Sequence, residues 1–543
     1  MNITFLGAAK TVTGSCYYLE MNNKKILIDC GMFQGNSGHK DMNFEPFPFN
    51  AEELDFVLLT HAHIDHSGRI PKLYKEGFRG EVIATKATVE LCEIMLPDSG
   101  HIQEMEHEWL NRKRLRAGKP PIDPLYTYQD AMDCMSVFRK VHYDEYVTLP
   151  GNITARFRDA GHILGSSILE LWINENGQET KLVFSGDLGN KDMPILRDPT
   201  IIDSADYLFI ESTYGDRLHQ SKENKISRFV DIILDTIDKG GNVVIPSFAV
   251  GRTQEIIYEI NKQLSKYDEK IKKLFSIPVY VDSPLAISAT EVFRNNLDCY
   301  DDEAKAYIEN GDNPLDFPTL QFTKTPDESR QLNENNECKI IISASGMCEA
   351  GRIKHHLKHN LWRPESTILF VGYQAQGTLG RRILDGADKV KIFGEEITVN
   401  ARIESIESFS GHADQNGLIE WIDGFTKKPK KIFIVHGEEE SQIVFAKKIK
   451  EVFSIECVIP DKYETYSLTP NRAIALMPEA EKKDRYLRLH LLEYAQLLEE
   501  EVTDFSDIIR AIVDNDVDDF YLESILYKLK SLEKDLHSIV KMI

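Results

Sequence analysis

Three histidines and one aspartate fall within six positions in the stretch Thr60-His61-Ala62-His63-Ile64-Asp65-His66-Ser67-Gly68. Neutral imidazole and carboxylate are donors that zinc accepts, whereas Mg²⁺ and Ca²⁺ prefer cages of oxygen. His61 and His63 alternate with Ala62, so both rings can project to one side of a tight loop. Asp65 and His66 then turn toward a second position close by. Two adjacent zinc ions need about seven or eight ligands, with one carboxylate between them. The cluster supplies four, and the remainder must come from elsewhere in the chain.

Candidates recur wherever an apolar run ends. His162 sits in Asp159-Ala160-Gly161-His162-Ile163-Leu164-Gly165-Ser166, Asp187 in Ser185-Gly186-Asp187-Leu188-Gly189, and Glu211 opens Glu211-Ser212-Thr213-Tyr214-Gly215. His162 would complete one ion with His61 and His63, and Asp187 would bridge to a second ion held by Asp65 and His66. His436 follows the run Ile432-Phe433-Ile434-Val435 and is the candidate for the missing ligand. His412, in Gly411-His412-Ala413-Asp414, is then left unassigned. A histidine that does not ligate but lies beside a dinuclear site suits the general acid for a departing alkoxide. Asp29, at the end of the run Lys25-Ile26-Leu27-Ile28, suits a carboxylate that orients a metal-bound histidine through its other ring nitrogen.

The elements that must carry these residues can be read around them. Residues 55–59 form a short, apolar, partly β-branched strand that stops just before the histidine cluster. Residues 1–80 read as short strands between turns, with Ser67 placed to cap a helix after the cluster. Residues 86–146 read as mostly helical and carry Arg112-Lys113-Arg114-Leu115-Arg116 with Lys119, which Glu104, Glu106 and Glu108 would neutralise. Strands resume over 153–210. From about 214 to 392 apolar strands at 242–246, 278–281, 339–342 and 367–371 alternate with helices, the pattern of a parallel α/β layer. Its strand ends carry loops rich in small residues, where backbone N–H groups can meet phosphate. Short strands return over 393–470. Beyond Pro478, leucines and tyrosines recur at helical spacing with sixteen acidic against nine basic residues, which suits a packing or dimerisation element.

Bulk properties narrow the partners. The chain has 543 residues, enough for two or three domains, and no apolar run long enough to span a bilayer. Residues 1–7 begin a strand at once, without the basic segment of a signal peptide. Eight scattered cysteines without a Cys-x-x-Cys pair suit reduced thiols in the cytoplasm. A net charge of −23 argues against non-specific coating of nucleic acid, though it leaves room for a local metal-lined cleft.

Taken together, His61-x-His63-x-Asp65-His66 with Asp29, His162 and Asp187 resembles the signature set of the metallo-β-lactamase fold. Glu211, His412 and His436 resemble the extra motifs of the β-CASP nucleases. Gly411-His412-Ala413-Asp414 and His436-Gly437-Glu438 are similar to the bacterial and archaeal relatives of the cleavage and polyadenylation specificity factor endonuclease. The resemblance covers roughly residues 1–470. It implies an αββα sandwich over 1–213 and 393–475, an inserted α/β β-CASP domain over 214–392, and leaves a helical extension over 476–543. It implies two zinc ions per chain, one on His61, His63, His162 and Asp187, the other on Asp65, His66, Asp187 and His436. A hydroxide bridging them would hydrolyse RNA, internally or from the 5′ end, with Asp65 and His412 catalytic and Glu211 orienting His412. Arg252, Ser343, Ser345 and Gly346 would contact phosphate. Rival expectations are a thioesterase or lactonase on the same fold, a scaffold that has lost catalysis, and a nuclease acting on DNA. A homodimer through the C-terminal extension is a further expectation.

Overall fold

The computed structural model describes residue 530 and residues 1–476 except 36–40, 220–224, 265–273, 336, 373, 375–376, 407–410 and 471. Beyond that one residue, the helical extension and the dimer contact expected of it lie outside the described residues.

Two sheets face each other. The first has eight strands in the order Arg472–Ala475, Thr465–Thr469, Asn2–Phe5, Tyr17–Met21, Lys24–Ile28, Phe56–Leu58, Glu81–Thr85 and Phe138–Val141. The second has seven, in the order Cys457–Val458, Lys431–Ile434, Tyr207–Ile210, Gln178–Phe184, Ser167–Glu175, Ile153–Asp159 and Tyr146–Leu149. Their inner faces interdigitate through Ile3, Phe5, Leu19, Leu58, Phe157, Leu171, Phe184, Phe209 and Phe433. Phe184 and Phe209 stack at 4.3 Å and Phe209 and Phe433 at 4.9 Å. Each such fully buried apolar side chain contributes about 1.5–3 kcal/mol. Helices Gln415–Asp423 and Glu439–Phe453 pack through Leu418, Ile422, Phe445 and Ile449 on the outer face of the second sheet. This is the expected αββα sandwich with an inserted α/β domain.

The insertion is a six-stranded sheet in the order Leu320–Phe322, Val279–Val281, Ile340–Ser343, Val243–Pro246, Thr367–Phe370 and Arg402–Ser405. Every pairing in it is parallel. Its last strand, Arg402–Ser405, lies beyond the boundary expected at residue 392.

Two local expectations are corrected. Residues 138–141 are a strand, because Val141 is buried and the segment completes the edge of the first sheet beside Glu81–Thr85. Ser67 caps nothing that follows it. It ends the short helix Ile64–Ser67 and its hydroxyl donates back to the carbonyls of Ala62 at 2.9 Å and His63 at 3.0 Å. The next helix, Ile70–Lys75, has Pro71 in its first turn and no side-chain cap. The long helix Lys86–Arg116 carries the basic cluster, where Arg112 pairs with Glu108 at 3.3 Å and the Lys113 ammonium lies 3.3 Å from the centre of the Trp109 ring. All eight cysteines are free, and no helix among the described residues is long and apolar enough to cross a membrane.

Candidate metal centre

Buried strands deliver the ligand-type residues to one rim. Phe56–Leu58 is buried throughout and releases the histidine cluster, whose backbone lies along the segment after Lys24–Ile28. Cys30 N–H donates to the His66 carbonyl at 2.8 Å, Met32 N–H to Ile64 at 2.9 Å, and Ser15 N–H to Asp65 at 2.8 Å. The approach is so close that a Cβ on Gly31 would stand 1.6 Å from the Asp65 carbonyl oxygen. His162 lies in the turn between Ile153–Asp159 and Ser167–Glu175, where the Ser166 hydroxyl accepts its N–H at 3.0 Å. Asp187 follows Gln178–Phe184, Glu211 follows Tyr207–Ile210, and His436 follows Lys431–Ile434. These three strands are neighbours in one sheet, so their ends are neighbours too.

The side chains form two groups around Asp187. In the first, His63 Nδ1 stands 3.1 Å from His61 Nε2 and 3.2 Å from His162 Nε2. Asp187 Oδ2 lies 3.4 Å from His61 Nε2 and 3.6 Å from His162 Nε2. In the second, His436 Nε2 is 3.2 Å from His66 Nε2 and 3.5 Å from Asp65 Oδ2. Asp187 Oδ1 lies 3.4 Å from His66 Nε2 and 3.5 Å from His436 Nδ1. Ligand atoms about 2.0–2.1 Å from a tetrahedral zinc stand about 3.3 Å from one another. The separations match the edges of such tetrahedra, and most are too long for good hydrogen bonds. Asp187 Oδ1 is buried and has no hydrogen-bond partner, an arrangement that is expensive unless a cation completes it. The residues therefore fit a metal: His61, His63, His162 and Asp187 could hold one ion, and Asp65, His66 and His436 another.

A surrounding set of hydrogen bonds decides which ring nitrogens face inward. Asp29 Oδ2 meets His66 Nδ1 at 2.7 Å, which leaves Nε2 for the site. That carboxylate is itself fixed by Thr60 N–H at 2.8 Å and by the Thr60 and Ser15 hydroxyls, each at 3.0 Å. His162 Nδ1–H donates to the Gly411 carbonyl at 3.1 Å, and the Thr213 hydroxyl meets His436 Nδ1 at 3.2 Å. Burial lowers the pKa of His61, lowers that of His63 to about 3, and takes His162 well below its ordinary value, so these rings offer lone pairs. Against its own burial, Asp187 is held well below the usual carboxylate range by His436, His66 and His61. His66 behaves oppositely: burial lowers it, but Asp187 and Asp29 raise it well above its ordinary value. Its proton is the one that a metal ion would displace.

His412 stands beside the first group. Its ring lies 4.4 Å from that of His162, and its Nδ1 is 3.2 Å from Glu211 Oε1 and 3.9 Å from Asp187 Oδ2. Glu211 is fully buried, and Oε1 also accepts the Leu188 N–H at 2.6 Å. Despite burial, which lowers it, Glu211 and then Asp187 and Asp65 raise the His412 pKa to about 9. The His412 backbone is pinned from several sides. Ala413 N–H donates to Leu188 at 2.8 Å, and His219 Nε2–H donates to the His412 carbonyl at 3.0 Å. Asp414 accepts His219 N–H at 2.9 Å and caps Gln415–Asp423 through Gly417 N–H, also at 2.9 Å. Thr60, Ser15, Ser166, Thr213 and His219 were not singled out from the sequence. Thr60 and Thr213 stand beside recognised motif residues, but only their contacts distinguish them from any other threonine.

Three family models match the chain: the metallo-beta-lactamase superfamily over residues 9–159, the Beta-Casp domain over 253–383, and the Zn-dependent metallo-hydrolase RNA specificity domain over 396–460. A ribonuclease of Thermus thermophilus is 37% identical over 447 residues, covering 82% of this chain and 95% of that protein. An RNase J-like protein of Methanocaldococcus jannaschii is 32% identical over 461 residues, covering 84% and 97%. The transcription termination factor FttA of the same organism is 31% identical over 470 residues, covering 85% and 70%. The chain belongs to the β-CASP family of metallo-β-lactamase-fold proteins.

Within the β-CASP insertion, the four residues expected at phosphate separate into two pairs. Arg252 opens the helix Arg252–Leu264, is buried, and engages the Glu255 carboxylate. The Ser343 hydroxyl is buried and donates to the Asp282 carbonyl at 2.8 Å. Arg252 and Ser343 thus each have a partner inside the domain. Ser345 is half-buried and its hydroxyl accepts the Glu349 N–H at 3.1 Å, while Gly346 lies under the Phe248 ring.

Proposed function

We propose that this β-CASP protein is a zinc-dependent ribonuclease that hydrolyses phosphodiester bonds at the centre built around Asp187. The observation that carries the reading is Asp187 itself, which turns one oxygen to each histidine group while the His412–Glu211 pair stands at its side. Two zinc ions are assigned, the first to His61, His63, His162 and Asp187, the second to Asp65, His66, His436 and the other oxygen of Asp187. Bound there, zinc supplies a water acidified from a pKa of about 15.7 to near 7 and positive charge opposite the phosphoryl oxygens. Protein side chains do the rest. Asp29 and Thr213 hold His66 and His436 in the orientation the site requires. Glu211 accepts from His412 Nδ1 and keeps the ring charged, so that Nε2 delivers a proton to the departing alkoxide. Positioned proton transfer of this kind contributes about 10²–10⁴-fold.

RNA is favoured as the substrate by the relatives, two of which bear ribonuclease names. The inserted domain is assigned to residues 214–405, to include the strand Arg402–Ser405 in its sheet. The eight free thiols support a reducing compartment, the cytoplasm. The test is to incubate the purified chain with end-labelled RNA and DNA, with and without chelator, and to map the products. Chelator-sensitive cleavage of RNA is expected, and the fragments separate internal from end-directed attack. His61→Ala should lose bound zinc and cleavage together, whereas His412→Ala should keep zinc and slow turnover. Full activity of His412→Ala would remove that residue from the mechanism.

A further inference from the structure

All strands of the inserted sheet are parallel, so their carboxyl ends share one side. One of them, Arg402–Ser405, leads within seven residues to His412. The loops at those ends therefore open on the side of the candidate metal centre. One loop, 247–251, comes near it: a Cβ built on Gly251 would meet Ile163 Cγ2 at 3.5 Å, and Ile163 follows His162. Three positions before Gly251, Phe248 is 42% exposed.

An isolated exposed phenylalanine is ordinary on a protein surface. Phe248 differs in how it is seated. Its ring rests on two glycines from the neighbouring strand-end loops, standing 3.0 Å from a Cβ built on Gly346 and 3.6 Å from one built on Gly372. The loop beneath it is fixed, because the Phe248 carbonyl accepts the Thr253 hydroxyl at 2.7 Å. A ring seated on backbone and partly open to solvent thus stands at the carboxyl ends of parallel strands, on the side of the candidate metal centre. Ligands of open α/β sheets bind at such ends, and unstacked RNA bases seek aromatic faces.

We propose that Phe248 is the stacking platform for one base of the RNA substrate, a few nucleotides from the scissile bond. The proposal rests on the ribonuclease reading above and adds what holds the strand in register. Stacking tolerates any base, because every base has a π-face, so Phe248 would grip RNA without reading its sequence. Loss of one such contact weakens binding by about 5- to 150-fold.

The experiment uses a set of RNAs carrying a single abasic ribose at successive positions around the mapped cleavage site. With intact RNA, Phe248→Leu should raise KM by about 5- to 150-fold with little change in kcat. Phe248→Trp, which keeps a ring, should recover most of that loss. Gly346→Ala should also raise KM, because its Cβ would stand 3.0 Å from the ring, whereas Gly372→Ala, at 3.6 Å, should not. At one abasic position the wild-type protein should lose the same factor and Phe248→Leu should lose nothing more. An unchanged KM in Phe248→Leu, or equal abasic penalties in both proteins at every position, would overturn the proposal. A binding arm separates this outcome from failure of the ribonuclease reading. Anisotropy of labelled RNA with the wild-type and Phe248→Leu proteins measures affinity even if neither cleaves. Weaker binding by Phe248→Leu would then support the platform while the cleavage reading fell, and equal or absent binding would sink the platform.

Discussion

Two buried aspartates in this molecule have similar neighbours and opposite states. Asp282, at the end of Val279–Val281, is completely satisfied. The Thr323 and Ser329 hydroxyls, His356 Nε2 and Arg352 Nη1 each meet its carboxylate at 2.6 Å. Asp187, at the end of Gln178–Phe184, is ringed by histidine nitrogens at 3.4–3.6 Å, and its Oδ1 has no hydrogen-bond partner. Burial fractions do not separate the two. Distances do: a carboxylate closed by short hydrogen bonds holds elements together, whereas one that faces convergent nitrogens just beyond bonding range is prepared for an ion.

Substitutions can break that comparison. Asp187→Ala should have the largest effect on function, since it removes the group shared by both ligand sets. Metal content and cleavage should fall by more than the ~100-fold typical of losing a supporting residue, with the apo-protein fold retained by circular dichroism. If Asp187→Ala binds metal like the wild type, the two aspartates are alike and the reading of Asp187 fails. Asp282→Ala should do the reverse. It strands the buried His356, takes one partner from the half-buried Arg352, and should destabilise the chain by about 3–5 kcal/mol in denaturant titrations, while metal per folded chain stays constant. Asp29→Asn tests the support one step out from the site. It replaces the charged acceptor for His66 Nδ1 with a neutral amide and should weaken metal affinity by about 10–100-fold, read by competition with a chromophoric chelator.

The smallest effect concerns pH. Burial raises the Asp159 pKa to about 7, against the Gly161 N–H that lowers it. A folded-state pKa above the unfolded value means that the folded chain binds the extra proton. Its contribution is therefore present in acid and is lost as pH rises through about 7. Asp159→Asn, which can still accept from Gly161, should melt higher than the wild type at pH 8 and show no such advantage at pH 4. An equal gain at both values would mean that the aspartate does not titrate in this window.

How much of this was legible in the sequence follows from what each part requires. Metal ligation demands particular residue types at strand ends, so His61, His63, His66, His162, Asp187 and His436 could be gathered by chemistry before any fold was known. The strands were legible from short apolar runs, their pairing into two facing sheets only from the family resemblance, and the inserted layer from its alternation of helix and strand. Supporting residues were not, because Ser15, Thr60 and Thr213 act through contacts that span up to 223 positions. The Asp282–His356 contact spans 74 positions, and neither residue stands out alone. The partner of Arg252 was not legible either: Glu255 lies one helical turn on and engages it. The strand at 138–141 was missed because only its last residue is buried, which leaves an edge strand little pattern to read.

The central claim is that Asp187 joins two ions into one RNA-cleaving centre. The most direct measurement is zinc per chain in the purified protein together with cleavage of end-labelled RNA, before chelation, after chelation and after zinc is restored. The account predicts two zinc ions per chain, loss of cleavage on chelation and its return with zinc. Cleavage that persists in metal-free protein, or two bound ions with no cleavage of RNA, would contradict it.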